Sequence, residues 1–347
     1  MNFGAGVLLA WYDVHARTLP WRALPDSAPP DPYRVWLSEV MLQQTTTAAV
    51  GPYFTKFTER WPTIGALAAA DEADVMAAWA GLGYYARARN LLACARTVVA
   101  AGGEFPATEA ELRKLPGLGA YTAAALAAIA FGTRAVVVDA NVERVVSRLF
   151  AIEQPLPAAR PAIRAKAEAL TPLQRSGDFA QAMMDLGATI CTSRNPRCLL
   201  CPLASRCAAL ATGDPARFPF KAAKRPKPRR VGRAFWIERQ GAVWLVKRQP
   251  SGMLGGMRAL PDDGWNARGD GHGSTPLAGA WTSLGAVRHG FTHFNLELQL
   301  MLYSGDDLAS LAGHAGEWWQ LDTLEAAGLP TLFAKAARLA IARDQGE

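Results

Sequence analysis

Four of the chain's five cysteines are concentrated in one short segment, with the spacing Cys191-x6-Cys198-x2-Cys201-x5-Cys207. Four thiolates along a single loop can surround one compact metal site, as they do around a 4Fe–4S cluster. Zinc is the alternative, but zinc ribbons usually present two separated Cys-x2-Cys pairs, and only one such pair occurs here. We therefore predict a 4Fe–4S cluster bound by these four residues, whereas Cys94 is expected to be a small buried apolar residue.

The segment Leu115–Thr122, with the sequence LPGLGAYT, contains two glycines separated by one residue. Such a pair makes a tight turn whose backbone amides can approach a phosphate, and the following helix presents its N-terminus to the same anion. Gly117 and Gly119 are therefore candidates for binding DNA phosphate without reading the base sequence, although an ordinary helix–turn–helix connection has the same pattern. Asp139 follows the apolar run Val136–Val138, where it is either a helix N-cap or a catalytic carboxylate.

In this order and spacing, the hairpin, Asp139 and the cysteine loop resemble the helix-hairpin-helix DNA glycosylases that carry an iron–sulfur cluster. Endonuclease III-type members of that superfamily have a catalytic lysine two residues after the second hairpin glycine, where this chain has Tyr121. The Tyr121-Thr122 pair is instead similar to the MutY-type adenine DNA glycosylases. Four longer segments share this resemblance: LPWR (19–22), WLSEVMLQQT (36–45), GLGYYARARNL (81–91) and QAMMDLGA (181–188).

The chemistry that this resemblance implies needs two carboxylates in different environments. Breaking the N-glycosidic bond of adenine requires a general acid at the base and negative charge beside the cationic sugar. Glu39 lies among apolar residues of a helical stretch, where burial would raise its pKa and keep it protonated near neutrality. The resemblance makes Glu39 the proton donor and Asp139 the group that stabilises the oxocarbenium-like sugar, with a transient covalent bond as one route. Tyr121 and Asn141 would hold these carboxylates in position.

Excision also requires the adenine to leave the duplex, so other side chains must fill the gap that it leaves. The resemblance implies three residues that wedge into the base stack or contact the opposite base, and three that line the adenine pocket. The first group is Gln43, Gln44 and Tyr84, and the second is Trp21, Arg22 and Gln181. For Trp21 and Tyr84, packing in an aromatic core is the alternative interpretation.

Residues 231–347 resemble the Nudix-like 8-oxoguanine recognition domain of the same family. The resemblance rests on Phe291-Thr292-His293-Phe294 and on the glycine-rich segment 252–257, and it implies that Thr292 and His293 contact the damaged guanine. Thr292 stands where the family usually has serine, and Arg258-Ala259 stand where tryptophan-glutamate is usual. The sequence has no glutamate-rich Nudix hydrolase signature, so we do not expect it to hydrolyse nucleotides.

The first of two predicted domains comprises residues 1–212 and is all-α, because no long stretch of it alternates with period two. Asp31-Pro32 provides an N-cap followed by proline at the first helical position. Thr108 and Glu111 have the spacing of a capping box. This helical glycosylase domain includes both the hairpin and the cysteine loop, so it must position the catalytic carboxylates.

The second predicted domain, residues 231–347, is a small α+β unit that follows a basic linker. The linker, residues 213–230, contains four prolines, which prevent regular structure, and seven basic residues. Beyond it, the short strands Phe235–Glu238 and Val243–Lys247 flank Gln240-Gly241 as a predicted hairpin, and residues 294–302 alternate as a half-buried strand. A helix over residues 331–343 ends the pattern.

The formal net charge of +7 permits a polyanionic partner, and the apolar runs are far shorter than the roughly 20 residues that cross a membrane. We predict a monomeric cytoplasmic enzyme, associated with the nucleoid in a bacterium, that removes adenine opposite 8-oxoguanine or guanine from double-stranded DNA. One alternative is a bifunctional glycosylase-lyase for oxidised pyrimidines, against which Tyr121 argues. Another is a non-catalytic iron–sulfur DNA-binding protein, which would have no need of both Glu39 and Asp139.

Overall fold

A computed structural model describes residues 4–222, 226–249, 252–305, 307–313 and 315–343. The chain divides into two compact units. The first comprises Met1–Ala70 and Asn90–Lys224, and the second comprises Asp71–Arg89 and Arg225–Glu347.

The first unit is built from helices, and its described residues contain no strand beyond one isolated β-bridge between Leu156 and Lys221. Among the described residues of the whole chain, no helix combines the length and apolar character needed to cross a membrane. The helices of residues 4–222 are α1 Ala5–His15, α2 Pro32–Leu42, α3 Thr47–Arg60, α4 Ile64–Ala68, α5 Glu72–Trp79, α6 Ala86–Ala100, α7 Glu109–Leu112, α8 Ala120–Phe131, α9 Ala140–Leu149, α10 Arg160–Leu170, α11 Ser176–Thr189 and α12 Ala208–Ala211.

Helix α8 is the centre of the first unit, because it packs against both α2 and α11. Its residues from Thr122 to Ala128 are all buried, and five of these seven are alanine, so neighbouring helices can approach closely. Helix α11 in turn packs against α1 and α9. The four helices α2, α8, α9 and α11 thus form one packed group.

Two glycines of α11 allow this close packing. A Cβ atom at Gly177 would collide with the backbone carbonyl oxygen of Ala128 in α8, and one at Gly187 would lie 2.6 Å from the Cβ of Asn141 in α9. Both distances are shorter than side chains tolerate, so α11 reaches α8 and α9 only because these positions lack side chains.

The predicted helix starts are confirmed where the structure tests them. The Asp31 side chain accepts a hydrogen bond from the backbone N–H of Tyr33, with Pro32 at the first position of α2. The Thr108 hydroxyl accepts from the backbone N–H of Glu111 at the start of α7. Cys94 is fully buried in α6, as expected.

The described residues of the second unit include α5, two small sheets and a longer final helix. Its strands are β1 Arg229–Trp236, β2 Glu238–Arg239, β3 Ala242–Lys247, β4 Arg258–Ala259, β5 Trp281–Gly290, β6 Asn295–Tyr303 and β7 Glu317–Gln320, and its last helix is α13 Thr331–Arg343. In one sheet the order is β1-β6-β5, with β1 parallel and β5 antiparallel to β6. In the other, β3 pairs with β2, β4 and β7.

The alternating strand and the final helix are confirmed, since Leu296, Leu298 and Leu300 of β6 are buried in the core with Phe333 of α13. The predicted hairpin is only partly correct. Strands β2 and β3 do flank Gln240-Gly241, but residues 235 and 236 belong to β1 and pair with β6. Local periodicity identifies a strand and its buried face, but not which of several apolar strands is its partner.

The predicted boundaries differ from the observed units in two ways. Residues 71–89 group with the second unit by their contacts, which local sequence does not reveal. In addition, the observed irregular segment is shorter at both ends than the predicted linker of residues 213–230. At the N-terminal end, Phe218 is buried and its carbonyl oxygen accepts a hydrogen bond from Arg148 Nε, and the carbonyl oxygen of Phe220 accepts one from the backbone N–H of Leu156. At the C-terminal end, β1 already begins at Arg229.

Candidate functional site

The first unit contains a cavity of about 880 Å³ that is lined by residues of α2, α8, α9 and α11. A space of this size is typical of pockets that enclose a small organic group. It brings together eleven residues that the sequence analysis singled out: Trp21, Arg22, Glu39, Gln43, Gln44, Gly117, Gly119, Tyr121, Asp139, Asn141 and Gln181. Trp21 and Gln181 are both buried in its wall.

Glu39 projects from α2 into this cavity and is only 6% exposed. Its Oε2 accepts a hydrogen bond of 2.7 Å from the Tyr121 hydroxyl. The pKa of Glu39 is raised from 4.5 to about 7, chiefly by burial; the Tyr121 hydrogen bond opposes this shift and the charge of Asp139 adds to it. The carboxyl is therefore partly protonated at neutral pH, as predicted from the apolar residues around it.

Tyr121 lies in the first turn of α8, directly after the hairpin. Burial and the neighbouring carboxylates raise the pKa of its hydroxyl well above the ordinary value. The hydroxyl therefore stays protonated and acts as a hydrogen-bond donor to Glu39.

Asp139 is the N-cap of α9 and also lines the cavity, so the two interpretations of this residue are compatible. Its Oδ1 accepts from the backbone N–H of Val142 at 2.7 Å, and its Oδ2 accepts from Asn141 Nδ2 at 2.8 Å. Burial raises the pKa of Asp139, while these hydrogen bonds lower it. Both carboxylate oxygens are thus held in a fixed direction.

Two residues of the site were missed by the sequence analysis. Arg144 Nη2 donates to Asn141 Oδ1 at 2.8 Å, and its Nε donates to the carbonyl oxygen of Cys191 at 2.7 Å. Asp185 is fully buried and accepts from Arg17 Nε at 2.6 Å and from Arg22 Nη1 at 2.5 Å. In the sequence, only two local features point to these residues. Arg144 follows Asn141 with i, i+3 spacing, and Asp185 is a carboxylate on an apolar face of α11.

The structure distinguishes the two adjacent glutamines. Gln43 Nε2 donates to the hydroxyl of Thr122 at 3.0 Å, which joins the end of α2 to the start of α8. Gln44 is exposed and has a left-handed backbone with φ of 59°. The second glutamine therefore has the more exposed side chain, and its contact with DNA stays a prediction.

The hairpin between α7 and α8 has the geometry that its glycines predict. Gly117 has φ of 75°, and a Cβ there would lie 2.6 Å from the Cβ of Asn90. Gly119 is the N-cap of α8 and offers no side chain to that helix end. The backbone amides of the first turn are thus approachable by an anion, and their binding to phosphate stays a prediction.

The four cysteines of the loop line one small cavity of about 30 Å³ together with Arg148, Ile190 and Pro196. Arg148 is 2% exposed, and its Nη1 donates to Cys191 Sγ at 3.3 Å and to the carbonyl oxygen of Thr192 at 2.6 Å. A buried guanidinium beside thiol sulfurs offsets the negative charge that thiolate ligands carry.

This donor set suits a cluster better than a single ion. A zinc ion would draw four thiolates to about 2.3 Å from a single point, whereas a 4Fe–4S cluster takes each thiolate on a separate iron. Cys191, Cys198, Cys201 and Cys207 line one common space, and four thiolates on one loop are the ligand set that such a cluster takes.

Three candidate residues lie in the second unit. Tyr84 is 52% exposed, and its hydroxyl oxygen lies 3.5 Å from the Thr292 hydroxyl oxygen. Thr292 and His293 are exposed just before β6. Arg258-Ala259, where the family usually has tryptophan-glutamate, form β4. Tyr84 is therefore not a core aromatic, whereas Trp21, which is 7% exposed, packs edge-on against Phe54 at 5.4 Å between ring centres.

Three family models match successive parts of the chain. The model of HhH-GPD superfamily base excision DNA repair proteins matches residues 37–171. The model of the iron–sulfur binding domain of endonuclease III matches residues 191–207, and that of the NUDIX domain matches residues 233–339. The predictions of an iron–sulfur cluster and of a Nudix-like second domain are thereby confirmed.

Curated relatives match across both units. An adenine DNA glycosylase of Homo sapiens is 34% identical over 96% of this chain and 73% of its own length. An adenine DNA glycosylase of Mycolicibacterium smegmatis is 42% identical over 62% of this chain and 72% of its own length.

Solved structures resemble the helical part of the chain. A thermostable thymine-DNA glycosylase aligns with a TM-score of 0.53 and 29% identity, covering 60% of this chain and 95% of its own. An endonuclease III in a non-covalent DNA complex aligns with a TM-score of 0.50 and 23% identity, covering 60% and 94%. The second likeness bears on the fold alone.

Proposed function

The chain belongs to the adenine DNA glycosylase family of base excision repair enzymes, and from this premise we propose that it removes adenine mispaired with 8-oxoguanine. Adenine opposite guanine is a slower substrate. Removal from these pairs prevents G·C to T·A mutations. The proposal is based on one observation: two carboxylates with different hydrogen-bond partners line the same cavity. Glu39 accepts a hydrogen bond from Tyr121, and Asp139 accepts one from Asn141.

Glu39 serves as the general acid. Because its pKa is about 7, a large fraction of the carboxyl carries a proton at neutral pH. Transfer of that proton to a ring nitrogen of the adenine converts a poor leaving group into a neutral base. The Tyr121 hydroxyl occupies Oε2 as a donor, which leaves Oε1 to carry the proton to the base.

Asp139 stabilises the sugar as the bond breaks. The N–H of Val142 and the amide of Asn141 donate to its two oxygens, and both bonds favour the charged carboxylate. A fixed negative charge beside the anomeric carbon lowers the energy of the oxocarbenium-like state. As the bond to adenine breaks, the same carboxylate would form a transient covalent bond with the anomeric carbon, and water would then hydrolyse that bond.

The enzyme is proposed to be monofunctional, so that it leaves an abasic site and does not cut the strand. A lyase needs an amine that forms a Schiff base with the sugar. Tyr121 occupies the position of the endonuclease III-type lysine, and no lysine is among the described residues that line the cavity. The cavity therefore offers side chains for acid catalysis but no lysine amine for strand cleavage.

Recognition of the opposite base is assigned to exposed side chains. Thr292 and His293 supply polar groups at the start of a strand, where they can bond to an edge of 8-oxoguanine. The threonine keeps the hydroxyl of the usual serine and adds a methyl group. Tyr84 and Gln44, both exposed with left-handed backbones, are the candidates for filling the gap that the flipped adenine leaves.

The cluster is assigned a structural role. When bound, it links the four cysteine thiolates and thereby orders the loop of residues 191–207. Arg144 connects the start of that loop, at the Cys191 carbonyl, to Asn141 in the catalytic cavity. An ordered loop thus supports the direction of the Asp139 carboxylate without taking part in proton transfer.

The substrate is tested by single-turnover excision on three duplexes that differ only in the mispair: A opposite 8-oxoguanine, A opposite guanine and C opposite 8-oxoguanine. We expect fast cleavage of the first, slower cleavage of the second and none of the third. Equal rates for the first two would refute the assigned preference. The variants Thr292→Ala and His293→Ala should reduce the ratio of the first two rates, and Thr282→Ala, an exposed threonine on β5, is the matched control.

A further inference from the structure

The segment between α5 and α6 has an unusual backbone. Gly81, Gly83 and Tyr84 all adopt left-handed conformations, with φ of 102°, 69° and 49°. Glycine enters this region at no steric cost, but a tyrosine does so only when its surroundings impose it. Tyr84 is also half-exposed, so burial of its ring does not account for the conformation.

The hydrogen bonds of Arg87 explain how this backbone is held. Arg87 is 8% exposed, and its Nη2 donates to the carbonyl oxygen of Leu82 at 3.0 Å and to that of Gly83 at 3.1 Å. Its backbone N–H donates to the carbonyl oxygen of Tyr84 at 2.8 Å. One residue at the start of α6 thus fixes three successive carbonyl groups of the turn.

Aromatic contacts complete the support. The Arg87 guanidinium carbon lies 5.2 Å from the ring centre of Trp79 and 5.6 Å from that of Tyr84, within the range of cation–π attraction. Trp79 Nε1 donates to the Gly83 carbonyl oxygen at 3.1 Å, so that carbonyl accepts from both side chains. The orientation of the Tyr84 ring is therefore coupled to the position of Arg87.

We propose that Arg87 is a positioning residue that preorganises Tyr84 for insertion into the DNA base stack, and that it sets the preference for 8-oxoguanine through Tyr84. The proposal rests on the proposed function, in which Tyr84 fills the gap at the mispair. Without Arg87 the turn is free to leave its left-handed conformation. Ordering of Tyr84 must then occur during binding, at the expense of affinity.

The test uses full-length enzyme carrying Arg87→Met, which keeps the apolar stem but removes the donors and the charge, alone and combined with Tyr84→Ala. The matched control is Arg96→Met on the same helix, because exposed Arg96 also donates to two backbone carbonyls, those of Ala68 and Ala70. One measurement is the ratio of single-turnover rates for A opposite 8-oxoguanine and A opposite guanine. The other is the fluorescence of 2-aminopurine placed next to the 8-oxoguanine, recorded with each variant in a Glu39→Gln background so that no base is removed.

We expect Arg87→Met to lower the ratio of the two excision rates by about five- to tenfold, because the variant loses part of the stabilisation that two charge-assisted hydrogen bonds provide. It should also reduce the fluorescence change, and it should add little to the effect of Tyr84→Ala, since residues that act through one another are non-additive. Arg96→Met should leave both measurements unchanged. An Arg87→Met loss that persists undiminished in the Tyr84→Ala background would overturn the proposal, and so would an unchanged fluorescence response.

The buried position of Arg87 requires a second, milder variant. If Arg87→Met lowers the yield of folded protein, Trp79→Phe removes one donor to the Gly83 carbonyl while keeping a ring beneath the guanidinium, and a smaller effect of the same kind is expected. If Tyr84→Ala itself leaves both measurements at the wild-type level, the wedge assignment in the proposed function fails together with this inference. If Tyr84→Ala impairs both and neither supporting variant does, only the inference about Arg87 fails.

Discussion

Replacing Glu39 by glutamine should abolish excision and at the same time stabilise the fold at neutral and alkaline pH. The pKa of Glu39 rises from 4.5 to about 7 on folding, chiefly because the carboxyl is buried. Each unit of pKa difference corresponds to about 1.4 kcal/mol, so ionising this group in the folded protein costs about 3 kcal/mol. Glutamine carries no charge, and its carbonyl oxygen can still accept from Tyr121.

The sign of the pH dependence follows from the raised pKa. Below pH 4.5 the carboxyl is protonated in both states and imposes no penalty, whereas between pH 4.5 and 7 the folded state retains a proton that the unfolded state has lost. Stability of the wild type therefore falls through this range relative to Glu39→Gln. We expect the variant to be more stable by about 1 to 3 kcal/mol at pH 8, because burying the new amide group offsets part of the gain.

Urea unfolding of wild type and Glu39→Gln at pH 5, 6.5 and 8, monitored by circular dichroism, measures this difference. Asp178→Asn, which replaces a partly exposed carboxylate on α11, controls for removing a negative charge elsewhere. The variant should also bind duplex DNA while losing at least about 10²-fold in excision rate. Equal stability at pH 8, or an advantage that grows as the pH falls, would refute the burial argument.

Four further outcomes are expected. Asp139→Asn should lower excision at least about 10²-fold and preserve duplex binding, so a near wild-type rate would remove its role. The single-turnover rate should fall as the pH rises through about 7, because Glu39 loses its proton there. The rate should also fall at acid pH, because Asp139 becomes protonated. A rate that is constant from pH 6 to 9 would contradict this expectation. Cys198→Ser should reduce bound iron and weaken DNA binding, and wild-type protein with one zinc and no sulfide would contradict the cluster assignment. Thr292→Ala should lower the preference for the 8-oxoguanine pair by about 5- to 150-fold, the equivalent of 1–3 kcal/mol, and an unchanged preference would place recognition elsewhere.

Much of the site was predictable because its determinants are local. The burial of Glu39 follows from the apolar residues beside it in α2, and the turn at Gly117 follows from the glycine spacing. The cap at Asp31 and the buried face of β6 follow in the same way from residue type and period. Each of these features depends on residues within one element, which is the range over which sequence patterns carry structural information.

The features that were missed depend on contacts between distant segments. Arg144 acts through the carbonyls of Gly187 and Cys191, which are 43 and 47 residues away. The parallel pairing of β1 with β6 and the grouping of residues 71–89 with the second unit are likewise long-range. An arginine or a short apolar strand has many potential partners, and only the packed structure selects among them.

The proposed function depends on hydrolysis of the adenine N-glycosidic bond by carboxylate catalysis, without lyase chemistry. Its most direct test is one assay on duplexes containing A opposite 8-oxoguanine, A opposite guanine or thymine glycol, with each reaction analysed before and after alkali and with borohydride trapping in parallel. The proposed reaction gives adenine release from the first two duplexes, strand breaks only after alkali and little trapped enzyme–DNA adduct. Strand breaks before alkali together with efficient trapping, or cleavage of the thymine glycol duplex alone, would contradict it.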